Sequence, residues 1–188
     1  MQPFSFQSTN IDGLMLVQPF LAPDDRGYLS KTFERRIFRE HGIDMEPYEE
    51  LTSCSQKGVI RGLHFQRQYS QNKLVRVLHG AVYDVAVDLR RGSKTFGQWE
   101  GFLLSAENRQ MLYLPKGFAH GFLALEDHTI FNYLCGDRYD PDSDGGIAWN
   151  DADLGVKWPL HRVEHVIVSP KDQALPSYAC FCKQFGGL

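Results

Sequence analysis

The sequence predicts an all-β fold, an antiparallel sandwich or barrel with short peripheral helices. Three observations lead there. Short runs rich in Val, Leu, Tyr and Phe recur at regular spacing; clusters of Gly, Asp, Ser and Pro separate them; helical periodicity is almost absent. The chain has 188 residues and is 43% hydrophobic, enough for one sizeable core. No internal repeat, low-complexity tract or linker interrupts it, so a single domain over residues 1–188 is expected.

The elements follow in order. Ile11 to Val17 reads as a strand ended by Pro19, and Pro23 to Gly27 is a turn cluster. Tyr28 to Phe33 alternates as a strand, and Glu34 to His41 reads as a short helix stopped by Gly42. Glu46 to Ser53 is a further strand. Gly58 to Asp88 is the organising stretch: two extended segments carry Arg61, His64, Lys73 and Arg76, then His79-Gly80 turns the chain into a strand from Ala81 to Leu89. In that strand Ala81, Tyr83, Val85, Val87 and Leu89 share one face, with Asp84 and Asp88 on the other. Trp99 to Leu104, Met111 to Leu114, His120 to Leu125 and Thr129 to Cys135 are four more strands. Gly136 to Lys157, rich in Asp and Gly, reads as a long surface loop. Val163 to Val168 is a last strand, and Ser169 to Asp172 turns into a brief helix.

Charge excludes some functions. A net charge of -3 gives no basic field, so nucleic acid is not an expected partner. No apolar run reaches the length of a membrane span, and the N-terminus has neither a basic start nor an apolar core, so no signal peptide is read and the cytoplasm is the expected compartment. Cys54, Cys135, Cys180 and Cys182 fit neither zinc pairs nor a CxxC redox motif, and are expected to be incidental thiols.

Taken singly, the polar candidates have plain structural readings. A lone histidine beside apolar residues is usually a satisfied core group; for His64 the neighbours Arg61, Gln66, Arg67 and Lys73 weaken that reading. Lys73 at a strand start would ordinarily point to solvent. Tyr133 could be a core tyrosine, and Asp172 could cap the brief helix. His120, in Pro115-x-Gly117-x-x-His120, resembles the second motif of cupins, the small jelly rolls. Where a metal-binding cupin has HxH this chain has His64-Phe65-Gln66, so the ligand set for a divalent metal is incomplete.

Together these residues form an ordered set. RGLHFQ, KLVRVLHGAVYDVAVDLRRGSKTFGQW, LSAENRQMLYLPKGFAHGFLAL, the Tyr133 to Pro141 segment, WNDADLGVKWP and VSPKDQALP occur in one order. From about Ile11 to Pro176 the chain resembles the dTDP-4-dehydrorhamnose 3,5-epimerase family. The resemblance implies a cupin jelly roll (a double-stranded β-helix), a homodimer, no metal or organic cofactor, and a nucleotide-linked 4-keto-6-deoxyhexose as substrate. It places the catalytic base on His64, its aspartate partner on Asp172, the enolate-stabilising lysine on Lys73 and the acid on Tyr133. A further active-site histidine falls on His120, phosphate-binding arginines on Arg61 and Arg26, and a nucleotide-contacting tyrosine on Tyr139.

The chemistry wants such groups. A ketone at C4 acidifies the C3 and C5 protons, so no redox cofactor is required. A histidine suits the base, and a carboxylate on its other nitrogen fixes the tautomer. A lysine suits the developing enolate oxygen and arginine forks suit a diphosphate.

The chain also departs from the family pattern. Lys31 stands where a glutamate is usual, Glu49-Glu50-Leu51 replaces a Gln-Asp-Asn triplet, Ala22 replaces an aromatic and Arg138 precedes Tyr139. Lys31 and Glu49 are therefore expected to form a compensating pair in a re-wired base pocket. The alternatives are a 3- or 5-mono-epimerase, a CDP- or other nucleotide-linked substrate, a non-catalytic sugar-nucleotide-binding cupin, and a metal-dependent oxygenase, which the missing HxH disfavours. The strand Ile11 to Val17, left as an edge, would invite pairing, so it is expected to cross a two-fold dimer and carry Arg26 toward the partner's site.

Overall fold

A computed structural model describes residues 1–188. Fourteen strands, numbered in chain order, carry the fold: β1 (Ser5–Ser8), β2 (Met15–Gln18), β3 (Phe20–Asp24), β4 (Gly27–Lys31), β5 (Glu49–Ser55), β6 (Val59–Gln66), β7 (Lys73–His79), β8 (Ala81–Asp88), β9 (Trp99–Ser105), β10 (Met111–Leu114), β11 (Phe118–Ala124), β12 (Thr129–Cys135), β13 (Asp144–Gly146) and β14 (Ile167–Val168). Three short helices sit at the periphery, α1 (Arg35–Glu40), α2 (Pro170–Gln173) and α3 (Tyr178–Phe185). None is long and apolar enough to cross a membrane.

Two sheets face each other as a jelly roll. One runs β1-β2-β10-β7-β12-β5, the other β13-β6-β11-β8-β9, with β14 pairing β6 in parallel. Val75, Val77, Leu112, Leu114 and Phe131 of the first sheet pack on Val82, Ala86, Phe118 and Phe122 of the second. The outer face of the second sheet buries Leu63, Phe65, Val85 and Val87 under Trp158 and Phe181. A smaller cluster seats Phe38 of α1 on Val17, Leu74 and Met111. Strand β8 is thus covered on both faces, and Asp84 and Asp88 are both fully buried. Each carboxylate is paired, as burial of a charge requires: Asp84 with His120, and Asp88 with Arg90, Ser93 and Thr95.

Three expectations need correction, and two elements, β1 and α3, were not expected. The strand after Ile11 is not an open edge: β2 is flanked by β1 and β10 of its own chain, so it has no free edge to exchange with a partner. The sequence reading missed β1, whose SFQS carries one apolar residue and gives little periodic signal. Residues 136–157 are not all surface loop, since β13 extends the second sheet and Ile147 and Leu154 are buried in its outer cluster. The last strand shrinks to Ile167–Val168, preceded by a 3-10 turn at Leu160–Arg162. The amphipathic C-terminal helix α3, capped by Ser177 and closed by Gly186 at φ 65°, was not anticipated.

The two sheet strands that carry the histidines approach unusually closely. Gly62 has φ +127°, and a Cβ there would lie 2.5 Å from the Gly121 Cα. No side chain fits, so the pair of glycines lets β6 and β11 close up and sets His64 opposite His120 in register.

Candidate active site

A cavity of about 770 Å³ opens between the sheets, walled by β5, β6, β7 and β12 and roofed by β14 and α2. Seven of the residues singled out in the sequence line it: Glu49, Arg61, His64, Lys73, Tyr133, Tyr139 and Asp172.

His64 Nε2 lies 2.8 Å from Asp172 Oδ1. The residues are far apart in the chain, and the pair forms because β14 runs beside β6 and delivers the start of α2 to its flank. Asp172 is 4% exposed and also accepts the Gly62 N–H at 3.2 Å. With Nε2 engaged, Nδ1 is the ring nitrogen left for other chemistry. The possibility that Asp172 caps the helix is not realised, because Ser169 Oγ accepts the Asp172 N–H at 3.1 Å and does the capping.

Lys73 opens β7 and turns into the cavity rather than to solvent. Burial pulls its ammonium below the usual lysine range, against the opposing pull of carboxylates including Asp144 and Glu49. Tyr133, on the neighbouring strand β12, has its phenol pushed upward by burial, so it holds its proton at neutral pH. Cys135, Cα partner of Lys73, stays a thiol: burial raises it to about 11.

His120 lies behind this wall. It is 5% exposed and bonds both oxygens of Asp84, at 3.0 and 2.9 Å. Its ring meets Tyr133 edge-on, 6.0 Å between centroids, so it supports the tyrosine from inside the core.

Arg61 points from β6 along the wall, with Nε donating to Ser55 Oγ at 3.2 Å. Tyr139 stands half-exposed at the rim and donates to Asp144 Oδ2 at 3.3 Å, the same oxygen that Lys171 Nζ reaches at 2.5 Å. Arg26 is elsewhere, at the tip of the β3–β4 ribbon, almost fully exposed and bound to Asp24. Arg76 faces a separate, smaller cleft with Tyr28 and Arg109.

The expected Lys31–Glu49 pair is absent. Lys31 Nζ bonds Glu34 three residues on, at 2.6 Å, whereas Glu49 accepts from Gln71 at 2.8 Å. The local partner wins because it needs no chain closure between separate elements. Several cavity residues had no sequence assignment: Ser53, Gln66, Gln71, Asp144 and Lys171. Of these Lys171 was the most legible, lying beside Asp172 in VSPKDQALP. Ser53 Oγ is buried with no hydrogen-bond partner within the chain. No group of three or more His, Cys, Asp or Glu side chains is placed to hold a metal ion.

A cupin-like jelly roll whose cavity brings His64, Lys73, Tyr133 and Asp172 together between its sheets defines the class, and comparison with known proteins narrows it. The family model described as dTDP-4-dehydrorhamnose 3,5-epimerase matches residues 8–179, and the chain belongs to that family of isomerases. The dTDP-4-dehydrorhamnose 3,5-epimerase of Methanothermobacter thermautotrophicus is 49% identical over 173 residues, covering 92% of this chain and 94% of that one. A crystal structure of dTDP-6-deoxy-D-glucose-3,5-epimerase from Legionella pneumophila, in complex with dTDP-4-keto-L-rhamnose, superposes with a TM-score of 0.89 at 45% identity, covering 93% of each chain. A 3'-monoepimerase from Streptomyces bikiniensis, solved with dTDP-quinovose, gives 0.86 at 32% identity, covering 99% of this chain and 91% of that one.

Proposed function

We propose that this chain epimerises a nucleotide-diphospho-4-keto-6-deoxyhexose at C3 and C5, as in the conversion of dTDP-4-dehydro-6-deoxy-D-glucose to dTDP-4-dehydro-L-rhamnose. The observation that carries the reading is the buried Asp172 carboxylate 2.8 Å from His64, in one cavity with Lys73 and Tyr133. A site that only bound a sugar nucleotide would have no use for an aligned base and a protonated phenol.

In this reading His64 Nδ1 removes the proton from the carbon next to the ketone. The C–H electron pair moves into the ring as a C=C bond and the carbonyl electrons move onto O4. Lys73 neutralises that oxygen, and Asp172 stabilises the imidazolium. Tyr133 then gives its proton to the opposite face of the same carbon while O4 re-forms the carbonyl, so the centre inverts. Solvent resets both groups. Arg61 supplies a fork for the diphosphate and Tyr139 a ring for the nucleotide. His120, held by Asp84, supports Tyr133.

The test is proton NMR in D2O with a panel of 4-keto-6-deoxy sugar nucleotides. Deuterium entering C3 and C5 with inversion at both supports the proposal; no exchange with any member would sink it. Exchange confined to C3 favours a single-centre epimerase, the reading that the similarity to the Streptomyces bikiniensis 3'-monoepimerase keeps open.

A homodimer belongs to the same proposal, by a route other than the β2 strand. The β3–β4 ribbon stands apart from both sheets and exposes Tyr28 and Leu29, at 56% and 69%, with Arg26 at its tip. Laid over a second copy, it would bury those side chains and bring Arg26 toward the partner's cavity. Sedimentation showing a monomer at micromolar concentration would contradict this.

A further inference from the structure

The rim of the cavity is tied to the end of β6 by several hydrogen bonds, and the most buried of the side chains that make them from the β6 side, Gln66, has no part in the proposed chemistry. Gln66 ends β6 on the same face as His64 and is 7% exposed. Its Nε2 donates to the Tyr69 carbonyl at 2.7 Å and to the Arg138 carbonyl at 2.9 Å. Its Oε1 accepts the Asp140 N–H at 2.9 Å. Both donors and one acceptor site of the amide are therefore spent on main chain, and two of the three partners flank Tyr139. The other contacts of this region have the same sense. Gln71 Nε2 reaches the Asp137 carbonyl at 2.7 Å, Gly136 N–H reaches the Asn72 carbonyl at 2.9 Å, and the Arg138 guanidinium lies over the Tyr69 ring at 3.9 Å.

We propose that Gln66 is a positioning residue: its amide clamps residues 136–143 to residues 66–72 and thereby holds Tyr139 at the cavity rim for the nucleotide portion of the substrate. This rests on the functional reading above. Direct contact with substrate is the weaker role for Gln66, because one lone pair is all it has left to offer. A loop with few apolar contacts is ordered by such bonds, and a ring that must be ordered on binding binds less well.

The test joins kinetics to a double-mutant cycle. Gln66→Met keeps length and removes the hydrogen bonds. It should raise KM about tenfold and change kcat by less than about threefold, the scale of one base–aromatic contact. Tyr139→Ala should raise KM similarly, and Gln66→Met should add nothing in that background. Gln66→Glu, which keeps the acceptor and removes both donors, should move KM in the same direction. An additive effect in the Tyr139→Ala background would mean that Gln66 touches the substrate itself. A loss of kcat at constant KM would mean that it acts on His64; either result overturns the proposal. Amide hydrogen exchange needs no substrate: it should rise across residues 136–143 in Gln66→Met. Unchanged exchange refutes the clamp even where the substrate reading has failed, while absence of turnover in the unmodified protein refutes that reading alone.

Discussion

Ser169 and Asp172 divide the work at the start of α2. Ser169 Oγ accepts the Asp172 N–H at 3.1 Å and caps the helix, which leaves the Asp172 carboxylate free to turn inward to His64 at 2.8 Å. An aspartate spent on its own helix terminus could not also hold the imidazole.

That division makes Asp172→Asn a clean probe. The cap is untouched, so thermal stability should change little. Activity should fall by roughly 10²–10⁴-fold, because an amide neither fixes the required tautomer nor stabilises the imidazolium. Steady-state kinetics beside a melting curve separates the two effects; a variant within a few-fold of wild type would remove Asp172 from the mechanism.

Tyr133→Phe keeps the ring against His120 and Phe131 and removes the only proton it could give. Deuterium should still enter the substrate, returned by solvent to the face from which His64 took the proton, while inverted product disappears. Lys73→Ala should depress exchange and inversion together, since the enolate loses its counter-charge. Inversion at the wild-type rate in Tyr133→Phe would show that another group is the acid.

Glu49→Gln should tighten nucleoside diphosphates. Glu49 lines a cavity proposed to receive a polyanion; its hydrogen-bond partner is the neutral Gln71, and Lys73 acts on it only through space. Removing the negative charge at nearly constant shape should lower the inhibition constant of a nucleoside diphosphate by a factor on the order of two to ten, more at low salt. Comparing dTDP with CDP, UDP and GDP on both proteins also reads whether Glu49 selects the base. Weaker binding in Glu49→Gln would mean that its carboxylate accepts a hydrogen bond from the ligand.

Acid stability has a nameable contributor in Asp88. Burial alone would raise its carboxyl, but Arg90 together with the Ser93 and Thr95 hydroxyls holds it down at about 2, against an ordinary 3.8. A depressed folded value means stability that is complete above about pH 4 and lost as the pH falls toward 2. The shift corresponds to about 2 kcal/mol. In Asp88→Asn, denaturant midpoints should lie lower at pH 7 and fall less steeply between pH 4 and 2. A slope equal to the wild type would assign the acid sensitivity elsewhere.

The sequence by itself determined the all-β class, the strands Met111–Leu114 and Thr129–Cys135 to the residue, and the family. Those features are local: alternation, turn chemistry and ordered motifs are written in neighbouring residues. It also named seven of the side chains that line the cavity. It could not show that Ser169 would free Asp172, that Lys31 would turn to Glu34, or that β2 would be covered by β1. It gave no hint that Gln66 would spend its amide on a loop more than seventy residues away. Each of these was decided by which partners the folded sheets brought within hydrogen-bond reach. That choice depends on register and close approach, such as Gly62 against Gly121, and neither has a signature in a single stretch of sequence.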